Sequence, residues 1–555
     1  MAEALRQQDE ATRFLSAAVH LDPVLAELLI DEYLAEPKRA VPPSPGVSAE
    51  LVLREALAAR AQRRNLNTVL VVLAAVMAIG AAPLLIGWYI SAACWRLSER
   101  IVQRIAAAAN KSAVPSSAPP NWTLTALVWS ALSFLWAWTI VGMLLVLGMV
   151  GSGAVVGSLV IGSLLPLGMY LILVLEQVLP WRTVLSHFRF GTYDPDVTRR
   201  AEVLSECVEF ESRLARIAAE DSRRAGTGSG EIVIYRGDAP FQGAGSRVRS
   251  WSSVFQLRAK SPKGESDAAV PRFRPSELQA FISDRVGELA KAEFLTPGSR
   301  FEEATVTEWA VISAAQLPYH PRAERMLRQL DAGVDPELSV ENWREIADCS
   351  PEWLRYFRCF RVEGWGRQLA VSGFLHIGCV ERLLVVEWHG FLLSPIAAEF
   401  RQVDQPPEHL EWKALRESVA ELALLPLTMF ARAADVVRSM RRGGGGSWSS
   451  PAQAAMVFGS RASIRELASG TRLSSFFQES DAQRYLKIME RCTLDAIAQF
   501  AEERGIVVKG FDEMVTQINS STIFNNSHVT AGNIGGAGNS GTVESAGAAG
   551  ESATE

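Results

Sequence analysis

The sequence predicts an integral membrane α-helical region of two to three spans, joined to a cytosolic α+β domain with an antiparallel sheet. The first observation is a run without a charged residue between Lys111 and Glu176. Its apolar part, from Trp122 to Leu175, would be roughly 80 Å long as a helix, whereas a bilayer takes about 20 residues per crossing. The run is therefore too long for one span and suits two. The second observation is a meander of alternating strands at 354–393, which no regular βαβ repeat accompanies.

The apolar segments divide into three candidate spans, at about 67–93, 123–147 and 154–175. Pro83 is expected to kink the first, which is long enough for one tilted crossing and too short for two. A glycine-rich turn at 148–153 joins the other two. None of the three contains a charged residue, and charge inside a span is the usual mark of an ion or proton pathway. The pattern therefore argues against a transporter.

Basic residues flank every apolar segment except at the glycine-rich turn. They are Arg60, Arg63, Arg64, Arg96, Arg100, Arg104, Lys111, Arg182 and Arg189. The positive-inside rule places all of them in the cytosol and the turn outside, which three full crossings cannot satisfy. Either the N-terminus is outside, or the first stretch re-enters at Pro83 without crossing. We expect a multi-pass protein of the cell membrane with a cytoplasmic C-terminal domain, and we favour a cytosolic N-terminus because no signal peptide exports it.

The remaining sequence is expected to be soluble and divides where the composition changes. The predicted segments are an N-terminal helical segment (1–63), the transmembrane region (64–180), a helical connector (181–225), the α+β domain (226–440), a C-terminal helical segment (441–515) and a Gly/Asn/Ser-rich tail (516–555). A net charge of −6 gives no reason to expect nucleic-acid binding. The six cysteines lack CxxC spacing, which favours a reducing compartment and predicts no metal site. We expect no cofactor.

The turn after the first predicted strand of the α+β domain reads IYRGDAPFQGAGSRVRSWS. It resembles the YSGYxPFVGxG…WSF stretch of a family of uncharacterised multi-pass membrane proteins of actinobacteria, from which it departs at Arg236, Asp238 and Gln242. Further segments resemble the same family in the same order, so the likeness spans most of the chain. They lie at 39–47, 355–378, 462–469, 485–506 and 522–526. The resemblance implies this organisation, and it implies no substrate and no catalytic residue.

The same turn holds the candidate ligand site, an anion nest of backbone N–H groups with two arginines nearby. Its predicted residues are Gly237, Gly243, Gly245, Arg247 and Arg249. The turn has no GK[ST] sequence and no third glycine at dinucleotide spacing, so neither a Walker A loop nor a dinucleotide loop is expected. The alternative is a tight hairpin with Phe241 and Trp251 packed into the domain.

Two strand patterns are further candidates for chemistry. Glu387 and His389 share a strand face and could pair as acid and base, but no nucleophile accompanies them at a recognisable spacing. His376 and Cys379 are three residues apart on a strand and point to opposite faces, which makes them poor co-ligands. We therefore assign no catalytic residue and no metal ligand.

A basic run at 438–442 follows a helix rich in apolar residues. This pattern suits either an interfacial helix that lies on anionic lipid, or a core helix with a solvated basic end.

The leading functional hypothesis is a membrane-anchored protein with a large cytosolic sensing or protein-interaction domain. Its expected partners are the lipid bilayer and either another protein or a second copy, bound through the C-terminal helix and tail. One alternative is a pore-forming or transport-related protein gated by its cytosolic domain. The other is a membrane-bound enzyme with an unrecognised site. Convergence of Arg247, Arg249, Glu387 or His389 in one pocket would favour the enzyme.

Overall fold

The computed structural model describes residues 2–111, 152–190, 193, 205–225, 230–261, 264–266, 270–291, 304–365, 367–439, 449–470, 473 and 475–520. The predicted span at 123–147 and the tail beyond residue 520 lie outside these residues. The α-helices are α1 (Ala2–Leu21), α2 (Pro23–Tyr33), α3 (Ala49–Gly80), α4 (Ala82–Lys111), α5 (Ser152–His187), α6 (Ser205–Ala225), α7 (Pro275–Leu289), α8 (Glu324–Asp331), α9 (Val340–Asp348), α10 (Leu410–Ser439), α11 (Pro451–Phe458), α12 (Ile464–Leu467), α13 (Phe476–Glu503) and α14 (Phe511–Ser520). Short 3-10 helices lie at Leu317–Tyr319, Pro321–Ala323 and Ala398–Asp404. The strands are β1 (Glu231–Tyr235), β2 (Ser246–Ser261), β3 (Gly264–Ser266), β4 (Ala304–Ser313), β5 (Leu354–Gly364), β6 (Leu369–Val380), β7 (Leu383–Leu393) and β8 (Ile506–Lys509).

The eight strands of the described residues form one mixed sheet, in the order β1-β4-β5-β6-β7-β2-β3 with β8 beside β2. The predicted meander is confirmed as β5, β6 and β7, which pair antiparallel in sequence order. The expectation of an antiparallel sheet is corrected at one edge, where β1 and β4 pair in parallel. A long connection that includes β2, β3 and α7 separates these two strands, and such a crossover is what parallel pairing requires.

The two faces of the sheet are covered in different ways. On the helix face, α7 and α13 pack over a core that includes Phe360, Leu375 and Trp388. Helices α8, α9 and α11 cover the same face near β1 and β4. On the opposite face, which we call the aromatic face, the turn between β1 and β2 packs on Trp309 and Phe374. Successive side chains of a strand point to opposite faces of the sheet, so residues of the helix face alternate with residues of the aromatic face along each strand.

A separate helical core is formed by α1, α2, α6 and the first half of α3, through residues such as Leu29, Leu53 and Leu214. Arg13 of α1, which is 1% exposed, connects this core to two other elements. Its Nη1 donates to the Phe188 carbonyl at 2.9 Å and to Asp404 at 2.8 Å. The N-terminal core is therefore held to the end of α5 and to the 3-10 helix that follows β7.

The first apolar stretch contains a break between two helices. α3 runs without interruption from Ala49 to Gly80, so the end of the helical segment predicted at 1–63 and the start of the apolar stretch are one element. Ala81 then leaves the helical conformation, with φ −145° and ψ 42°, and α4 begins at the next residue. Pro83 lies in the first turn of α4, where backbone N–H groups have no partner within the helix, so its lack of an N–H costs no helical hydrogen bond. Inside one continuous helix its ring would clash with the preceding turn, which explains the break.

Two helical segments among the described residues are long and apolar enough to cross a membrane, by length and composition. They are Ala49–Gly80 and Leu164–His187. The second lies within α5 and overlaps the span predicted at 154–175. The described residues therefore contain two candidate apolar helices and a mixed-sheet domain with helices.

The start of α3 provides a pH-dependent contribution to stability. The N–H of Ala49 donates to Oδ2 of Asp221 at 3.0 Å. Burial raises the pKa of Asp221 to about 6, whereas an unfolded chain would give about 3.9. The folded protein therefore holds this proton more tightly, and the resulting stability is full below about pH 4 and lost as the pH rises through about 6.

We expect Asp221→Asn to keep an acceptor for Ala49 and to remove this dependence. The free energy of unfolding should rise by about 1–3 kcal/mol at pH 7.5 and by about a third as much at pH 4.5. Thermal unfolding of the purified full chain at both pH values measures it. Asp284→Asn, at an exposed carboxylate of α7, is the matched control. Equal effects of the two substitutions at both pH values would contradict the expectation.

Candidate functional site

All three predicted glycines of the turn between β1 and β2 adopt the left-handed conformation that favours glycine, Gly237 with a φ of 80°. Gly243 and Gly245 have φ values of 82° and 87°, which favour glycine. A Cβ atom at Gly243 would lie 2.5 Å from the Pro43 carbonyl oxygen, and one at Gly245 would lie 2.3 Å from the Leu392 carbonyl oxygen. The turn therefore packs against two other segments of backbone.

The predicted nest of N–H donors faces an acceptor within the chain. Gly245 donates to Oε1 of Glu466 at 2.9 Å, and Gly243 also donates to this carboxylate. Its Oε2 accepts the N–H of Ser463 at 2.9 Å, as part of the capping box of α12. Burial raises the pKa of Glu466, and these donors oppose the rise. The carboxylate therefore joins the turn to α12.

Sequence reasoning did not select Glu466, although a signal was present. Ser463 and Glu466 have the S-x-x-E spacing of a capping box, within the 462–469 segment. That pattern predicts the cap of α12. The second use of the carboxylate, on a turn more than 200 residues earlier, has no local signature.

The two predicted arginines lie on opposite faces of the sheet. A β-bulge interrupts β2 between Arg247 and Arg249, so these residues do not share a face. Arg247 is exposed on the aromatic face. Arg249 lies on the helix face, where its Nε donates to Glu490 at 2.8 Å and its Nη2 donates to the Ile518 carbonyl at 2.7 Å. The structure does not bring the five predicted residues together, and ligand binding by them stays a prediction.

The aromatic face is organised around Phe241 of the turn. Its ring lies 4.4 Å from that of Phe374 and 4.9 Å from those of Phe357 and Phe391, centroid to centroid. Such tilted and edge-on pairs are favourable beyond the area that they bury. The hairpin alternative for the turn therefore has a clear physical basis, because Phe241 fixes the turn to the sheet.

Three polar residues lie beside this aromatic cluster. His376 and Glu387 are register partners on β6 and β7, and Nε2 of His389 lies 3.9 Å from Glu387. Burial and the nearby Arg247 lower the pKa of His389. Nδ1 of His376 lies 2.8 Å from the Tyr356 carbonyl oxygen. Among the described residues, no group of three or more His, Cys, Asp or Glu side chains is arranged to hold a metal ion.

A second candidate region is the joint between the apolar helices and the sheet domain. Helix α10 follows β7 in sequence and contacts α3, α4 and α5. Their shared core includes Leu70, Leu173 and Leu425. The indole N–H of Trp88 donates to the Ala423 carbonyl at 3.3 Å, which fixes α4 to α10. One side of α10 is packed, as expected for a core helix, whereas Phe430 is 79% exposed, as expected for an interfacial helix. Each of the two alternatives predicted for this helix therefore holds for one of its sides.

Polar contacts close one end of the joint. Arg432 of α10 donates to Glu176 of α5 at 2.9 Å and to Asn67 of α3 at 2.5 Å. Gln177 donates to Glu421 at 2.8 Å, again between α5 and α10. Charge-assisted hydrogen bonds of this kind fix orientation as well as adding energy. They set the register of α10 against the apolar helices.

These features define a class of protein in which long apolar helices pack against a helix that follows β7, in a chain that also forms a mixed sheet. Residues 250–537, just over half of the chain, match the AbeC-like domain family, and the chain belongs to that family. The matched range contains α10 and most of the sheet, and it begins within β2, after β1 and the turn between these two strands. No curated protein matches the chain, and no solved structure matches it.

Proposed function

We propose that this protein is anchored in the cell membrane by its apolar helices and holds its sheet domain at the cytoplasmic surface. The observation that carries the proposal is the exposure of large apolar side chains on α3, α4 and α5. They are Val69, Val72, Val76, Ile79, Ile86, Tyr89, Ile90, Leu97, Ile101, Leu164, Leu167, Leu171 and Leu175. An apolar surface of this extent is unfavourable in water and favourable against lipid.

The direction of the anchor follows from charge. Arg60, Arg63 and Arg64 precede the apolar half of α3, and Arg182 and Arg189 lie at and after the end of α5. The positive-inside rule places these residues, and the sheet domain beyond them, in the cytoplasm.

The joint supports a sensing or protein-interaction role for the sheet domain. Because α10 packs on three apolar helices and is tied to α5 through Arg432 and Glu176, a displacement of those helices would move α10. A partner bound to the sheet domain would act on the same helix in the opposite direction. Self-association or partner binding through the C-terminal helix and tail is part of this proposal.

The membrane anchor is tested by making its outward surface charged. Val72→Asp combined with Val76→Asp should cost roughly 6 kcal/mol of insertion free energy, about 3 for each carboxylate near the centre of a span. We expect the unchanged protein to remain in membranes washed with alkaline carbonate, and most of the double variant to be released. Both valines point away from the helical core, with exposures of 54% and 45%, so packing is retained.

The control is Val254→Asp, which adds a carboxylate at a valine of the sheet that is 59% exposed. This variant should stay in the membrane pellet. Release of the unchanged protein by carbonate would contradict the proposal, as would equal release of all three forms.

A further inference from the structure

A groove of about 880 Å³ lies between the N-terminal helices, the end of α10 and the segment before α12. Its walls include Glu27 of α2, Asn67 of α3 and Met456 of α11. This volume is within the range of about 300–1,000 Å³ that is usual for small-molecule sites. Arg236, the first residue of the turn between β1 and β2, also lines the groove, and no residue of the aromatic cluster around Phe241 does.

Positive charge dominates the lining of the groove. Its arginines are Arg39, Arg60, Arg63, Arg64, Arg236, Arg438 and Arg461. Its carboxylates are Glu27, Asp31, Glu32 and Asp435. The lining therefore carries three more positive than negative charges, in a chain whose net charge is −6. A concave wall with one sign of charge in excess concentrates ligands of the opposite sign.

Two of the four carboxylates are engaged by arginines of the groove, Asp435 by Arg438 at 2.8 Å and Glu32 by several donors. Glu32 pairs with Arg39 and Arg236 and also accepts the backbone N–H of Arg461 at 2.9 Å. The guanidinium of Arg63 donates to the backbone carbonyl of Val19 at 2.8 Å. A carbonyl carries no net charge, so this bond does not neutralise the charge of Arg63. An added anion would therefore meet guanidinium groups whose charge the local carboxylates neutralise only in part.

The groove lies at the level where α3 becomes apolar. Arg60, Arg63 and Arg64 occupy the turns before Asn67, and Leu70 is in the core shared with α10. The distance along the helix from Arg60 to Asn67 is about 10 Å, which is comparable to the headgroup layer on one side of a bilayer. If α3 crosses the membrane there, the groove faces the phosphates of the cytoplasmic leaflet.

We propose that this groove binds a phosphate group, carried either by the headgroup of an anionic membrane lipid or by a free phosphate compound. Guanidinium groups suit this ligand because their planar N–H pairs match phosphate oxygens. The lipid source rests on the membrane anchor proposed above, and the free source does not. Binding there would bridge α2, α3 and α10, and so would stabilise the joint.

The test uses the full chain and two double variants that each remove two positive charges. Arg438→Gln with Arg461→Gln changes two exposed arginines of the groove. Arg322→Gln with Arg325→Gln changes two exposed arginines beside and within α8, outside the groove. Thermal unfolding of each purified protein shows that it is folded before binding is measured.

In the lipid arm, native mass spectrometry counts phosphatidylglycerol and phosphatidylcholine retained from an equimolar detergent mixture. In the free-phosphate arm, pyrophosphate is titrated into the detergent-purified protein without lipid.

Retention of phosphatidylglycerol that falls about tenfold or more in the groove variant, and not in the control, identifies a lipid source. Pyrophosphate binding with the same loss, without lipid preference, identifies a free source. The proposal is overturned if neither probe binds, or if both double variants lose binding equally. The pyrophosphate arm can succeed even if the protein is not membrane-anchored. A failure of the groove proposal can therefore be distinguished from a failure of the membrane-anchor proposal.

Discussion

Arg249→Ala is expected to destabilise the sheet domain by about 3–5 kcal/mol, whereas Arg247→Ala, two residues away, should change the free energy of unfolding by less than about 0.5 kcal/mol. Arg249 is the ion-pair partner of Glu490, a buried residue that is 4% exposed. Trp251 also donates to the Glu490 carboxylate, at 2.6 Å, but carries no charge. Removal of the guanidinium leaves a buried carboxylate whose pKa burial has already raised.

The measurement is the loss of folded protein on heating, followed by tryptophan fluorescence of the full chain in detergent. Both substitutions remove an arginine side chain from β2, so they compare the paired, largely buried Arg249 of the helix face with the exposed Arg247 of the aromatic face. Arg249→Ala should also weaken the packing of α14 on the sheet, because the hydrogen bond from Arg249 Nη2 to the Ile518 carbonyl is lost. Equal destabilisation by the two variants would contradict the placement of these arginines on opposite faces.

Glu466→Ala is expected to lower the free energy of unfolding by about 2–4 kcal/mol, since the N–H groups of Gly243, Gly245 and Ser463 lose one shared acceptor. Glu277→Ala is the matched control, because its carboxylate also accepts the N–H before its own helix, from Arg274 at 3.4 Å, but is exposed. The control should cost about 1 kcal/mol or less.

Limited proteolysis separates this effect from general unfolding. Loss of the Glu466 carboxylate should release the turn at 236–245 first, so cleavage there should precede cleavage within β5 to β7. Cleavage that begins in the sheet strands at the same rate would count against Glu466 as the fastening of the turn.

The sequence predicted those elements whose causes are local. The meander of β5, β6 and β7 was predictable because three strand-length runs rich in aromatic and β-branched residues follow one another, with short turns at 365–368 and 381–382 between them. The end of α3 was signalled by Pro83, although the sequence could not distinguish a kink from a break at Ala81.

The site could be predicted only in part, because its remaining causes are distant in sequence. The N–H groups of Gly243 and Gly245 donate to a carboxylate of α12, an acceptor that the local sequence does not indicate. The alternation of β2 would place Arg247 and Arg249 on one face, and the bulge between them reverses this. The packing of α10 on the apolar helices depends on long-range contacts that its own pattern leaves open.

The central claim, an anchored protein with a cytoplasmic sheet domain, is tested most directly by labelling Cys349, an exposed cysteine between α9 and β5. The other five of the six cysteines are replaced with alanine, and the protein is expressed in bacterial cells. A membrane-impermeant maleimide should leave Cys349 unmodified in intact cells and modify it after the cells are opened, with the protein in the membrane pellet throughout. Modification in intact cells, or recovery of the protein in the soluble fraction, would contradict the claim.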